Sequence, residues 1–266
     1  MKYNLPDRTR HSPEHFGFAQ RDRNSATMAA PDLKERRCMP ERAQNCEPAP
    51  QRQHNMDRMR RAYTWLERSE RKGTEDVERF VFLWIAFNAA YGDESALREF
   101  VEGGETRETE ADRFRTFLGN IVEQDEAGVL ERIVWDKFPG PIRVLLSNQF
   151  VYRPFWMAVW GSDRGSDWRR RFAGSKRIAL AALSNRDVST VLSVVFDRLY
   201  TLRNQIFHGG TTYPSGFGLD QIRDGSRIMA SLVPAIFDIM RHEIDSNPDS
   251  ALWGKVAFPR IEAEPQ

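Results

Sequence analysis

Apolar residues recur along this chain at steps of three and four, and the places where that rhythm starts and stops mark out helices. In "MDRMRRAYTWLERSE", Met59, Tyr63 and Leu66 keep the spacing until Lys72-Gly73 breaks it. The next segment, "TEDVERFVFLWIAFNAAYG", places Val77, Phe80, Trp84, Phe87 and Tyr91 on one face. Val81, Phe82, Leu83 and Ile85 make nearly the whole circumference apolar, which predicts a helix buried on most sides. Thr74 is its expected N-cap, Glu75 and Asp76 suit the positive end of the helix dipole, and Gly92 ends it.

Beyond a charged loop holding Gly103-Gly104, two further helices are predicted. "EADRFRTFLGNIV" aligns Phe114, Phe117, Leu118 and Ile121, and "EAGVLERIVWDKF" aligns Val129, Leu130, Ile133 and Val134. Pro139-Gly140-Pro141 predicts a turn that starts a short helix through Leu145-Leu146. Between Asn148 and Lys176 the signals divide: "QFVYRPFWMAVW" fits a strand pair or a helix, and "SDWRRRF" fits a helix. The clearest pattern begins near Ser184 to Asp187, where Val188, Val191, Leu192, Val195, Leu199, Leu202 and Ile206 repeat until Gly209-Gly210 offers a left-handed exit. A last helix is expected from Leu219 to Arg241, kinked at Pro234. With no alternating strand pattern and no internal repeat, the expected fold class is all-α, a helical bundle over residues 56–245.

Residues 1–55 carry six of the fourteen prolines, few large aliphatics, and ten Lys or Arg against seven Asp or Glu. Such a segment buries too little apolar surface to offset its ordering entropy, so a disordered N-terminal tail is expected. Residues 246–266 are set apart as a C-terminal extension. No apolar run approaches a membrane span, and "MKYNLPDRTRHSPEHF" lacks the apolar core of a signal peptide. Cys38 and Cys46 provide neither a disulfide framework nor a zinc site; with His54 they recur at steps of eight, which is not a zinc spacing. Arg241-His242-Glu243 lacks the second histidine of a zinc-protease helix. These readings predict a soluble cytoplasmic protein with no metal and no cofactor.

Charge excludes a global polyanion attractor, because 39 Lys plus Arg face 38 Asp plus Glu. A nucleic-acid role therefore needs a local patch. Arg outnumbers Lys 33 to 6, and guanidinium forks onto phosphate oxygens better than ammonium does. "WRRRF", Trp168 to Phe172, mixes cations with aromatics, so Arg169, Arg170 and Arg171 are candidate RNA contacts as well as candidates for a solvated helix face.

The chemistry concentrates in "RNQIFH", Arg203 to His208. The bare spacing is unspecific, since Arg10 and His15 in the tail share it. Only the second copy ends a strongly apolar helix, has a polar Asn204 after the arginine, and runs into a Gly-Gly turn. Five residues rotate an ideal helix by about 140°. Arg203 and His208 thus converge only if the chain unwinds at His208, which Gly209-Gly210 suggests. The plainer reading makes Arg203 a helix-end cation paired with Asp197 or the dipole, and His208 a capping side chain.

With its helix "VLSVVFDRLYTL" and the upstream "FLWIAFNAAYG", this segment resembles the HEPN superfamily of helical proteins, in an Apea-like or ribonuclease-toxin-like branch. The family pattern is an arginine, an adjacent polar residue, and a histidine after four to six intervening residues. Arg203, Asn204 and His208 occupy those positions. The resemblance implies a helical bundle that dimerises so that two motifs face one cleft, and a metal-independent endoribonuclease acting on RNA. It further implies a toxin or phage-defence setting with an antitoxin or sensor protein as partner. A non-catalytic module binding RNA, a nucleotide or a protein is the alternative. One branch, silenced by a nucleotidyltransferase, has a tyrosine two residues past the histidine; Gly210 stands there, which sets that scheme aside. Independently of the family, cleavage by the ribose 2′-hydroxyl needs proton transfer near neutral pH and positive charge around the phosphorane. An imidazole, which titrates near pH 6.5, and a bidentate guanidinium are suited to those tasks.

Overall fold

A computed structural model describes residues 50–94, 110–162, 167–210 and 218–259. The proposed tail up to residue 49, with Cys38, Cys46 and the Arg10–His15 spacing, lies outside them, as does the Gly103-Gly104 loop. Among the described residues the chain forms helices and no strand: α1 (Gln51–Ser69), α2 (Asp76–Tyr91), α3 (Glu110–Gln124), α4 (Val129–Arg132), α5 (Pro139–Ser147), α6 (Arg153–Val159), α7 (Trp168–Ser184), α8 (Val188–Phe207) and α9 (Leu219–Ser246). The expected all-α class holds. The divided signal at 148–159 resolves as a single turn at Gln149–Val151 followed by α6.

The apolar circumference of α2 explains its place. Phe80, Leu83, Trp84 and Phe87 are at most 1% exposed, and Phe87 stacks on Phe196 of α8 with ring centroids 4.6 Å apart. Phe114 of α3 stacks on Phe87 at 5.7 Å, so α2, α3 and α8 meet in one aromatic core. α1 and α9 close the other sides of α2. α9 approaches so tightly that a Cβ on Gly225 would sit 3.0 to 3.2 Å from Leu202, Leu199 and Phe80.

Helix starts follow capping chemistry, with one shift from expectation. α2 begins one residue later than Thr74 predicts: Glu75 is the cap, its backbone N–H donating to Glu78 Oε2 at 3.3 Å, while the Thr74 hydroxyl receives Arg68 at 3.5 Å. Asp125 accepts from the amides of Val129 and Leu130 at 2.9 and 2.8 Å and so opens α4. Asp187 opens α8, accepting from the Thr190 amide at 3.0 Å; bonds to Thr190 hold its carboxyl below the usual range. α9 runs through Pro234 to Ser246, past the expected end at Arg241.

Both proposed domain edges also move. α1 opens at Gln51, inside the segment assigned to the tail, because its first turns grip residues 248–254. The Gln51 amide donates to Gly254 O at 2.9 Å, and the Asn55 amide donates to Pro248 O and Ser250 O at 3.0 and 2.9 Å. Fully buried Arg58 donates to Ala90 O, Gly92 O and Gly254 O at 2.7, 2.8 and 3.2 Å, tying the end of α2 to the same segment. Burial pushes that guanidinium down to about 10, with Asp93 opposing. Residues 247–259 are therefore integrated with α1 and α9. Trp253 enters the core and its indole N–H donates to Glu243 at 2.7 Å.

Candidate functional site at the end of α8

Six residues of α8, Val191, Leu192, Val195, Phe196, Leu199 and Leu202, are at most 1% exposed and fix which way the helix faces. Its last turn then closes in a Schellman cap. Gly209 takes φ +70, the Gly210 amide donates to Gln205 O at 2.7 Å, and the Gly209 amide donates to Ile206 O at 3.2 Å. Glycine is favoured there because a Cβ is strained in the left-handed region. The expected Gly-Gly exit is realised, and the cap is made by backbone amides.

His208 stands just before that reversal, its amide donating to Asn204 O at 3.0 Å and its side chain exposed. Arg203 lies half-buried. One of its terminal nitrogens donates to Asn204 Oδ1 at 2.8 Å, its guanidinium lies 4.5 Å over the ring of Phe207, and its buried Nε has no hydrogen-bond partner. The helix stays regular through Phe207, so the rotation of about 140° between Arg203 and His208 persists. Unwinding begins one residue too late to swing the imidazole onto the guanidinium. Asn204, about 100° round from Arg203, sits on the arc between them. The plainer pairing of Arg203 with Asp197 is absent as well: Asp197 pairs with Arg198 at 2.8 Å.

Two contacts hold the site that no sequence signal marked. The Gln205 amide donates to Phe150 O at 2.6 Å, and the Trp156 indole N–H donates to the same oxygen at 2.7 Å. One carbonyl thus clamps the end of α8 to α6. Arg169, Arg170 and Arg171 occupy the exposed first turn of α7, with Arg169 lying 4.8 Å over Trp168. An aromatic chain leads from there towards the clamp, Trp168 against Phe155 at 5.0 Å and Phe155 against Phe150 at 5.5 Å.

A second polar region opens nearer the start of α8. A cavity of about 520 Å³ lies between α3, α6, α7 and α8 and is lined by Arg115, Arg153, Ser175, Ser193, Asp197 and Tyr200 among others. Beneath it Arg198 is completely buried, donating to Asp197 Oδ2 and Ser175 Oγ, each at 2.8 Å, and lying 4.4 Å over Tyr152. Burial pushes the Asp197 carboxyl above the usual range against the pull of Arg198, Arg153 and Arg115, and burial lowers Arg198 in turn. Sequence reading missed this region. Ser189, Ser193 and Asp197, four residues apart, read as the solvated side of an amphipathic helix. Comparison with protein-family models, with curated proteins and with solved structures returns no match to this chain.

Proposed function

We propose that the protein is a metal-independent endoribonuclease of the HEPN type. In this reading the ribose 2′-hydroxyl of RNA attacks the adjacent phosphate, the 5′-oxygen leaves, and a cyclic phosphate remains. His208 transfers the protons. Arg203 neutralises charge on the phosphorane, and Asn204 holds that guanidinium in place. The observation that carries the reading is the arrangement at the end of α8: an exposed imidazole and, on another side of the same helix end, a guanidinium already oriented by Asn204 and Phe207.

With the two groups about 140° apart round the helix, the reading requires a cleft shared between two copies. One chain turns its arginine and histidine to different sides, so a homodimer facing end to end supplies the histidine of one copy to the arginine of the other. Two histidines also furnish both an acid and a base. A cytoplasmic toxin or defence effector, restrained by an antitoxin or sensor protein, is the setting this proposal carries. The purified protein should degrade RNA in excess EDTA, and His208→Ala should abolish the activity while the helical circular dichroism stays unchanged. Equal activity in the two proteins would refute the assignment. A non-catalytic binding module is favoured by the separation of Arg203 from His208 within one chain. It becomes the better reading if expressing the wild type slows growth no more than expressing Arg203→Ala.

A further inference from the structure

The cavity beside the first half of α8 holds more hydrogen-bonding capacity than the fold uses. Among the described residues Arg153, which lines the cavity, makes no hydrogen bond and no ion pair. Arg115 is held at 2.7 Å by Asp112, with its side chain 65% exposed, so most of its donors stay open. The Ser175 hydroxyl accepts from Arg198 and keeps its own proton to give. Ser189 also lines the cavity, and among the described residues its hydroxyl has no partner. Ser193 and Thr190 are different: Ser193 donates to Ser189 O at 2.8 Å, and Thr190 bonds to Asp187.

The charge balance points the same way. Arg115, Arg153 and the underlying Arg198 face Asp112 and Asp197, an excess of one positive charge in a partly enclosed space. Asp197 is engaged by Arg198 and Arg115 by Asp112, which leaves Arg153 as the guanidinium with no hydrogen bond or ion pair among the described residues. The remaining wall is apolar and aromatic: Phe114 and Tyr200 meet edge to face at 6.0 Å, beside Val194 and Ile178. A volume of about 520 Å³ falls within the range of small-molecule sites.

We infer that this cavity binds a small organic phosphate monoester, its phosphate on Arg153 and Arg115 with the hydroxyls of Ser175 and Ser189, and its apolar or flat body against Phe114 and Tyr200. Two planar forks and two hydroxyl donors suit the three oxygens of a phosphate monoester better than the two of a carboxylate. The site is separate from the end of α8. Asp197 and His208 lie about 16 Å apart along the helix axis, so binding here does not depend on the ribonuclease reading.

Isothermal titration of the full chain with phenyl phosphate, phenol and inorganic phosphate tests it. Phenyl phosphate should bind at least about tenfold more tightly than either fragment alone, a gap of about 1.4 kcal/mol. Arg153→Ala, at an exposed position without a structural partner, should lose at least about tenfold in that affinity. Arg169→Ala and His208→Ala should bind as the wild type does. The inference is overturned if phenyl phosphate binds no better than phenol, or if Arg153→Ala binds it normally. A 5′-phosphorylated oligonucleotide that displaces phenyl phosphate would overturn the assignment to a free small molecule.

Discussion

Asp197 and Asn204 stand on the same side of α8, seven residues and about 20° apart on an ideal helix, yet their surroundings differ sharply. Asp197 lies where α3, α6 and α7 wall in the helix, and its partner Arg198 is wholly buried. Asn204 lies where the helix runs out towards the Schellman cap, holding Arg203 beside exposed Phe207 and His208. The same kinds of group, a guanidinium bound to an acceptor on an adjacent residue, therefore sit in different surroundings. In the walled region the guanidinium is wholly buried and must be satisfied internally, while its carboxylate partner stays about half exposed. At the open end charge costs little and is available to a ligand.

That contrast predicts which substitutions cost activity and which cost stability. Arg203→Ala should lower RNA cleavage by about 10² to 10³-fold, the size of losing one preorganised charge donor, while unfolding free energy falls by at most about 1 kcal/mol. Initial rates and urea melts on the same preparations measure both. Arg198→Ala should invert the pattern, destabilising the fold by about 2–5 kcal/mol because a wholly buried side chain packed against Tyr152 and Phe172 is removed and leaves a cavity. A mild urea shift there would break the distinction between the two regions. Gly209→Ala should cost about 1–2 kcal/mol, since alanine resists the left-handed conformation at φ +70. Cleavage should fall with it if the cap positions His208.

The smallest effect concerns Asp197. Its folded carboxyl is raised above the unfolded value, so the native state holds the proton more tightly than the unfolded chain does. Its contribution to stability is therefore greatest at low pH and declines as pH rises past about 3.9 and through the raised folded value. Asp197→Asn should flatten that decline in urea melts taken across the acidic range. A parallel pair of pH profiles would show that the carboxyl is not desolvated.

How much of this was legible in the sequence depended on whether a residue's role was local. The three-four repeat of α8, its start by Asp187 and the left-handed exit at Gly209 follow local rules, and all three appear where the pattern put them. Thr74 against Glu75 was a choice between adjacent capping side chains, decided by Glu78. The start of α1 and the course of residues 247–259 were hidden because each depends on the other, through Gln51, Asn55 and Arg58 reaching about two hundred residues away. Arg198 was hidden for a different reason. In an arginine-rich chain nothing local distinguishes a buried arginine from an exposed one, and only the packing of Tyr152, Phe172 and Ser175 around it reveals the difference. The Arg203, Asn204 and His208 pattern could be read as residues, but the direction each faces could not.

The most direct test of the central claim is the chemical identity of the 3′ ends left on RNA incubated with the protein in excess EDTA. The wild type should leave 2′,3′-cyclic phosphate ends, and an equally folded His208→Ala protein none. Ends bearing a free 3′-hydroxyl, or cyclic ends formed equally by both proteins, would contradict it.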